Sequence, residues 1–178
     1  MTDLSSTNHS DGQRLLAVGG IHVFESPTPC KLERAKPRDA VKNLEWANTL
    51  ALEATREGEA EVSCDGERIN LSIVPPVRLQ IKVTDDRKPT DIGANERFTV
   101  QALLYDKDGR ELEVGKFTNF EWNHTGVIEP ANDPSAGEFG FCDTCYGRQH
   151  FRAISAGHAV ITAGLDDLVG KLEIEVHS

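Results

Sequence analysis

The sequence predicts an all-β protein built as two tandem sandwich lobes. Three observations lead there: apolar residues alternate with period two along most of the chain, turn residues interrupt them at short intervals, and a train of four motifs occurs twice in the same order. Residues 1–13, MTDLSSTNHSDGQ, precede the pattern. They are polar and aperiodic and bury too little apolar area to offset the entropy of ordering, so a flexible N-terminal arm is expected. From Arg14 the alternation begins. Ile21 and Val23, then Ile69, Leu71 and Ile73, alternate with His22, Phe24, Asn70 and Ser72. The same period returns at Leu79, Ile81 and Val83, at Phe98, Val100, Ala102 and Leu104, at Val160 and Thr162, and at Leu172, Ile174 and Val176. Asp65-Gly66 and Asp108-Gly109 are hairpin signals between such runs. One stretch carries a competing period: Val41, Leu44, Ala47, Leu50, Ala51 and Ala54 suit an amphipathic helix over 39–57 capped by Asp39. The repeat favours strands there.

That repeat sets 44–74 beside 120–176. Leu44-Glu45-Trp46 matches Phe120-Glu121-Trp122, Ala54 to Ala60 matches Ala153 to Ala159 as Ala-x-x-x-Gly-x-Ala, and each train closes on a strand. Upstream, Val18-Gly19 matches Ile92-Gly93. Each Trp is expected to anchor the core of its own lobe, and Gly58 and Gly157 to supply turns that feed a strand. Pro75-Pro76 cannot donate ladder hydrogen bonds and marks the boundary. The expected organisation is an arm over 1–13, a shortened lobe over 14–75 and a second lobe over 76–178.

The second half, read as Val77 to Ile81, Ile92-Gly93, Phe98 to Tyr105, Asp106-Lys107-Asp108-Gly109, Phe120-Glu121-Trp122 and Ala153 to Ala163, resembles the bacterial immunoglobulin-like domains of the invasin and intimin type. The first half resembles a shortened copy. The resemblance implies two Ig-like Greek-key β-sandwiches of seven strands used as spacers or adhesive modules, as in bacterial surface proteins and bacteriophage head and tail proteins. It implies no catalytic residues. Residues 128–150 depart from the family pattern as an insertion after the Trp strand.

Composition bounds the remaining classes. The 178 residues carry 19 basic and 29 acidic side chains, a formal charge of −10. That balance argues against a nucleic-acid surface. No apolar run approaches a membrane span, and Leu15 to Val18, the longest apolar cluster near the N-terminus, is too short for a signal-peptide core. A chain without a leader is expected of a virion component assembled in the cytoplasm; a mature envelope protein would read the same way. The expected location is therefore a virion or the extracellular cell surface.

For chemistry the sequence offers little. No G-x-S-x-G, H-E-x-x-H or phosphate loop is present, and the six histidines are scattered. A non-enzyme without cofactors is expected, its partners being protein subunits of a larger assembly or a surface glycan, with no nucleic acid. The insertion is the expected contact surface, because long loops in compact domains are commonly functional and this one carries Phe139, Phe141 and Tyr146. Stacking of these rings on sugar is the carbohydrate-binding alternative. Cys30, Cys64, Cys142 and Cys145 are disulfide candidates, one bridge per lobe or reduced thiols throughout. Cys142, Cys145 and His150 also have the spacing of part of a zinc site, without a fourth ligand nearby. Asp106-Lys107-Asp108-Gly109 opens like a calcium loop but lacks the later ligands, so a hairpin turn is expected.

Overall fold

A computed structural model describes residues 13–131 and 144–178. The chain forms sixteen strands and one short 3-10 turn among these residues, so the all-β expectation holds. The first lobe runs β1 (Gln13–Ala17), β2 (Ile21–Phe24), β3 (Lys31–Lys36), β4 (Val41–Asn43), β5 (Leu50–Ala54), β6 (Gly58–Cys64) and β7 (Glu67–Val74). One sheet has the order β1-β7-β6-β3 and the other β2-β5-β4. After Pro75 and Pro76 the second lobe runs β8 (Arg78–Val83), β9 (Ile92–Gly93), β10 (Arg97–Tyr105), β11 (Glu111–Leu112), β12 (Glu121–Gly126) and β13 (Ile128–Pro130). It closes with β14 (Arg148–Ala153), β15 (Gly157–Leu165) and β16 (Leu168–His177). Here β12-β15-β16-β9 faces a sheet in which β10 pairs with β8, β11 and β14, and β14 pairs with β13.

The two lobes share one strand plan. In each, a short strand runs parallel to the last: β1, the first strand of its lobe, with β7, and β9, which follows β8, with β16. The following strand pairs antiparallel across the fold, β2 with β5 and β10 with β14. The hairpin that closes each lobe, β6-β7 or β15-β16, takes its third strand from β3 or β12. This is the Greek-key sandwich of immunoglobulin-like domains, with β2, β4 and β5 (β10, β13 and β14 in the second lobe) in one sheet and β3, β6 and β7 (β12, β15 and β16) in the other. The Ala-x-x-x-Gly-x-Ala match is structural: Ala54 and Ala153 end a strand, Gly58 and Gly157 open the next, and Ala60 and Ala159 point into the cores.

Two cores result. One gathers Leu16, Phe24, Leu52, Val62, Leu71 and Ile73; the other gathers Ile81, Ile92, Val100, Phe151, Ile161 and Ile174, with Ala17 reaching into it from the first lobe. Cys30 and Cys64 are joined by a disulfide with Cα atoms 4.4 Å apart, tying the entry of β3 to the end of β6.

Over 39–57 the strands that the repeat favours are found in place of the competing helix, but several other expectations need correction. The Asn43 side chain accepts the Glu45 N–H at 2.9 Å, and Glu45 and Asn48 have positive φ, which folds β4 and β5 into a hairpin. Trp46 therefore lies at a hairpin tip, 42% exposed, instead of in a core. Its alignment with Trp122 also fails, because Trp122 belongs to β12, whose counterpart is β3. Trp122 is half-buried against the second core, its ring 6.3 Å from that of Phe120. In β2 the inward face is inverted: His22 and Phe24 are buried while Ile21 and Val23 are half-buried. In β15, Ala159, Ile161 and Ala163 face the core, with Val160 and Thr162 outside. Of the 128–150 insertion, 128–130 and 148–150 are paired strands, and the connection between them carries the extra length.

Candidate functional site

The lobes meet along the outer edge of β1. Glu113, just past β11, bridges to Leu16: its N–H donates to the Leu15 carbonyl at 2.8 Å and its carbonyl accepts from the Ala17 N–H at 3.2 Å. β1 thus joins a sheet of one lobe to a strand end of the other. The Arg14 guanidinium donates to both Glu113 carboxylate oxygens, at 2.8 and 2.9 Å. Further on, Gly115 lies on the backbone of Ile21; a Cβ at Gly115 would fall 2.2 Å from the Ile21 carbonyl oxygen. Only glycine permits that approach.

Beneath this contact lies a polar knot. His22 Nε2 is 3.3 Å from the Ala17 carbonyl, and burial pushes the imidazole pKa down to about 4. The ring is therefore neutral near pH 7, with Nε2–H as donor. Thr118 Oγ1 is buried nearby without a hydrogen-bond partner among the described residues. Gly20 sits between them, its missing Cβ leaving 2.7 Å to His22 Nε2 and 3.0 Å to Thr118 Oγ1.

Above the knot the junction turns apolar and exposed. Trp46, at the β4-β5 tip, meets Phe117 of the second lobe edge-on, ring centroids 5.4 Å apart. Lys116 Nζ lies 5.7 Å from the Phe117 centroid and pairs with Glu25 at 3.2 Å. The Lys116 carbonyl accepts the Tyr146 N–H at 3.0 Å, which fixes the far end of the insertion beside the same loop. Arg148 approaches the Tyr146 ring at 5.9 Å and donates through Nε to the Cys145 carbonyl. Among the described residues the exposed aromatic rings are Trp46, Phe117 and Tyr146; Phe24, Phe98, Phe120 and Phe151 are buried. Exposed aromatics gathered at one place mark a contact surface more strongly than scattered ones.

Of the residues singled out from sequence, Tyr146 lies in this patch with a left-handed backbone, φ 60°. Phe139, Phe141 and Cys142 lie outside the described residues. Cys145 is buried and disulfide-bonded, so it holds no thiolate for zinc, and His150 Nδ1 lies 2.7 Å from Thr99 Oγ1 on an outer sheet face. Among the described residues no three His, Cys, Asp or Glu side chains gather to hold a metal. Asp106 is a turn residue: it accepts from the Asp108 N–H, the Arg110 N–H and Arg110 Nε. Burial works against its charge, but the Arg110 bonds hold the carboxyl below the ordinary range. Beside the disulfide, a shallow depression lined by Thr28, Lys31, Glu33 and Ser63 includes Asp65, whose oxygens already accept from Ser26 and Thr28.

Sequence reasoning missed Trp46 and Phe117 as surface groups. A signal existed: Asn43, Glu45 and Asn48 around Trp46 favour a turn, and Lys116, Thr118 and Asn119 surround Phe117.

No family model and no curated protein matches the chain. Among solved structures, the chain is similar to domains 5–6 of the S-layer protein SbsC, 14% identical over 94% of each chain with a TM-score of 0.37. It is similar to the Yersinia pseudotuberculosis adhesin InvE, 13% identical over 92% of this chain and 51% of that one, TM-score 0.38. A β-glycosidase from Bacteroides vulgatus is 14% identical over 88% of this chain and 24% of that one, TM-score 0.42.

Proposed function

We propose that this protein is a non-enzymatic structural and binding module, a head or tail decoration component of a phage virion or a component of a bacterial surface. It engages a protein subunit of that assembly through the aromatic patch at the lobe junction. One observation carries the reading: exposed Trp46 and Phe117, one from each lobe, meet where the lobes are held together, and the insertion is tied beside them through the Tyr146 N–H and the Lys116 carbonyl. Exposed aromatic side chains beside cations are the composition of interface anchors. The fixed junction presents them without a large ordering cost on binding.

The test compares the natural chain with a Trp46→Ala, Phe117→Ala variant. Antibody labelling under the electron microscope, on released phage particles and on intact cells, is expected to find the natural chain on one of these and a folded variant lost from it. Unchanged incorporation of the variant overturns the patch, and labelling confined to the cell interior overturns the location. Because exposed rings also suit sugar faces, a carbohydrate-binding adhesin domain of an envelope protein is the second reading; a glycan array with both chains decides it.

A further inference from the structure

The cross-strand registers of the second lobe sort its charges onto opposite sides of the sandwich. On the outer face of the β8-β10-β14 sheet, Arg78 neighbours Tyr105, and Lys82 and Arg148 flank Gln101 from either side. Arg97 stands directly opposite Arg152. Acidic residues enter this face only at the rims, Glu111 on β11 and Glu129 on β13. A basic face is unexpected on a chain of formal charge −10. Like charges placed directly opposite on a sheet weaken it; here Glu129, opposite Arg152 on the neighbouring strand, pairs with it at 3.9 Å and offsets part of that repulsion at the rim. Arg78 lies 4.1 Å above the Tyr105 ring centroid, giving a flat cationic and aromatic surface.

The opposite outer face, on β12-β15-β16, carries Glu121, Glu173 and Glu175. Lys171 pairs with Glu173 at 2.7 Å, and His158 stands opposite Glu175, 4.0 Å from its carboxylate. Val160, Thr162 and the exposed Val169 lie among these acids. The sandwich therefore has a basic side and an acidic side, each on rigid strands.

We infer that the second lobe binds a second copy of this chain head to tail, the basic β8-β10-β14 face of one protomer against the acidic β12-β15-β16 face of the next. The occupant follows from charge complementarity: this face is basic on a chain whose formal charge is −10, and a surface of the opposite sign lies on the other side of the same lobe. Such a contact joins two different patches and repeats from copy to copy. It adjoins the junction patch at Arg148 but its test residues Arg78, Lys82, Glu173 and Glu175 lie outside that patch, and Arg and Tyr are the residue types that interfaces favour.

Sedimentation velocity of the intact chain tests it at about 0.01 M and about 1 M salt, where the screening length falls from about 30 Å to about 3 Å. Self-association is expected at the lower salt and at least a tenfold weakening at the higher. Two charge-reversed chains, Arg78→Glu with Lys82→Glu, and Glu173→Lys with Glu175→Lys, are each expected to be monomeric at both salts with an unchanged circular dichroism spectrum. Their equimolar mixture is expected to associate again. A natural chain that is monomeric at low salt overturns the inference. So does association that survives either reversal, or a mixture that stays monomeric. Retention of a monomeric natural chain on a sulfated-polysaccharide resin would assign the basic face to an anionic polymer and overturn it as well. Trp46→Ala should leave the self-association unchanged, so this result and that of the junction reading are read separately.

Discussion

The first and second lobes follow one strand plan but stabilise it differently. In the second lobe β8 adds to the outer edge of β10. In the first, the corresponding edge of β2 has no strand of its own; the loop of the second lobe lies there, the Phe117 N–H donating to the Ile21 carbonyl at 3.3 Å. The first lobe is the smaller and holds the Cys30–Cys64 disulfide across its closing sheet. The lobes differ again between their fourth and fifth common strands. That connection is the short Trp46 hairpin in the first lobe and the long 131–147 segment, with Tyr146 near its end, in the second. A shared fold thus leaves the same connection free to vary, and both versions place an exposed aromatic residue there.

The largest test of this contrast is core against tip. Phe151→Ala should cost about 3–5 kcal/mol in urea denaturation, the usual range for a fully buried aromatic. Trp46→Ala should cost less than about 1 kcal/mol, as an exposed side chain does. Equal costs would mean that Trp46 is a core residue after all. Next, Cys30→Ser with Cys64→Ser should lower the stability of the first lobe by about 3–4 kcal/mol, since the bridge closes a separation of 34 residues. Calorimetry should then show the first lobe melting early while the second stays in place; a shift of both together would show that the lobes unfold as one unit.

The junction is probed by Gly115→Ala, whose new Cβ would press on the Ile21 carbonyl. A loss of about 1–3 kcal/mol, typical of overpacking, is expected, with amide exchange rising at Ala17 and Glu113 more than in either core. Unchanged protection there would locate the coupling elsewhere. The last test is of acid stability, an effect similar in size to that at Gly115. Burial lowers the folded pKa of His22 from 6.5 to about 4, so the unfolded chain takes up the proton first. The resulting stability is complete above pH 6.5 and drains away as the pH falls towards 4. Between pH 7 and pH 5 the natural chain should lose about 2 kcal/mol more than His22→Gln does. Parallel loss in both chains would mean that His22 is solvated in the folded state.

The sequence by itself determined the all-β class, the paired closing hairpins and the turns at Asp65-Gly66 and Asp108-Gly109. These depend on period-two patterning and local turn chemistry, which neighbouring residues specify without reference to distant ones. The Ala-x-x-x-Gly-x-Ala motif was legible for the same reason, since it describes one strand end, one turn and one strand start. The Trp alignment misled, because an apolar-Glu-Trp tripeptide fits both a strand and a hairpin tip. Only the tertiary structure decided that Trp46 lies at the tip, that β2 turns His22 and Phe24 inward, and that Gly115 meets Ile21. Each depends on what a distant segment presents: β2 is read correctly only once the second lobe covers its outer edge. The sorting of Arg97, Arg152 and Lys82 onto one face, and of Glu173 and Glu175 onto the other, was likewise hidden. Alternation says which residues share a side of one strand, but pairing register, set by long-range packing, says which strands stand together.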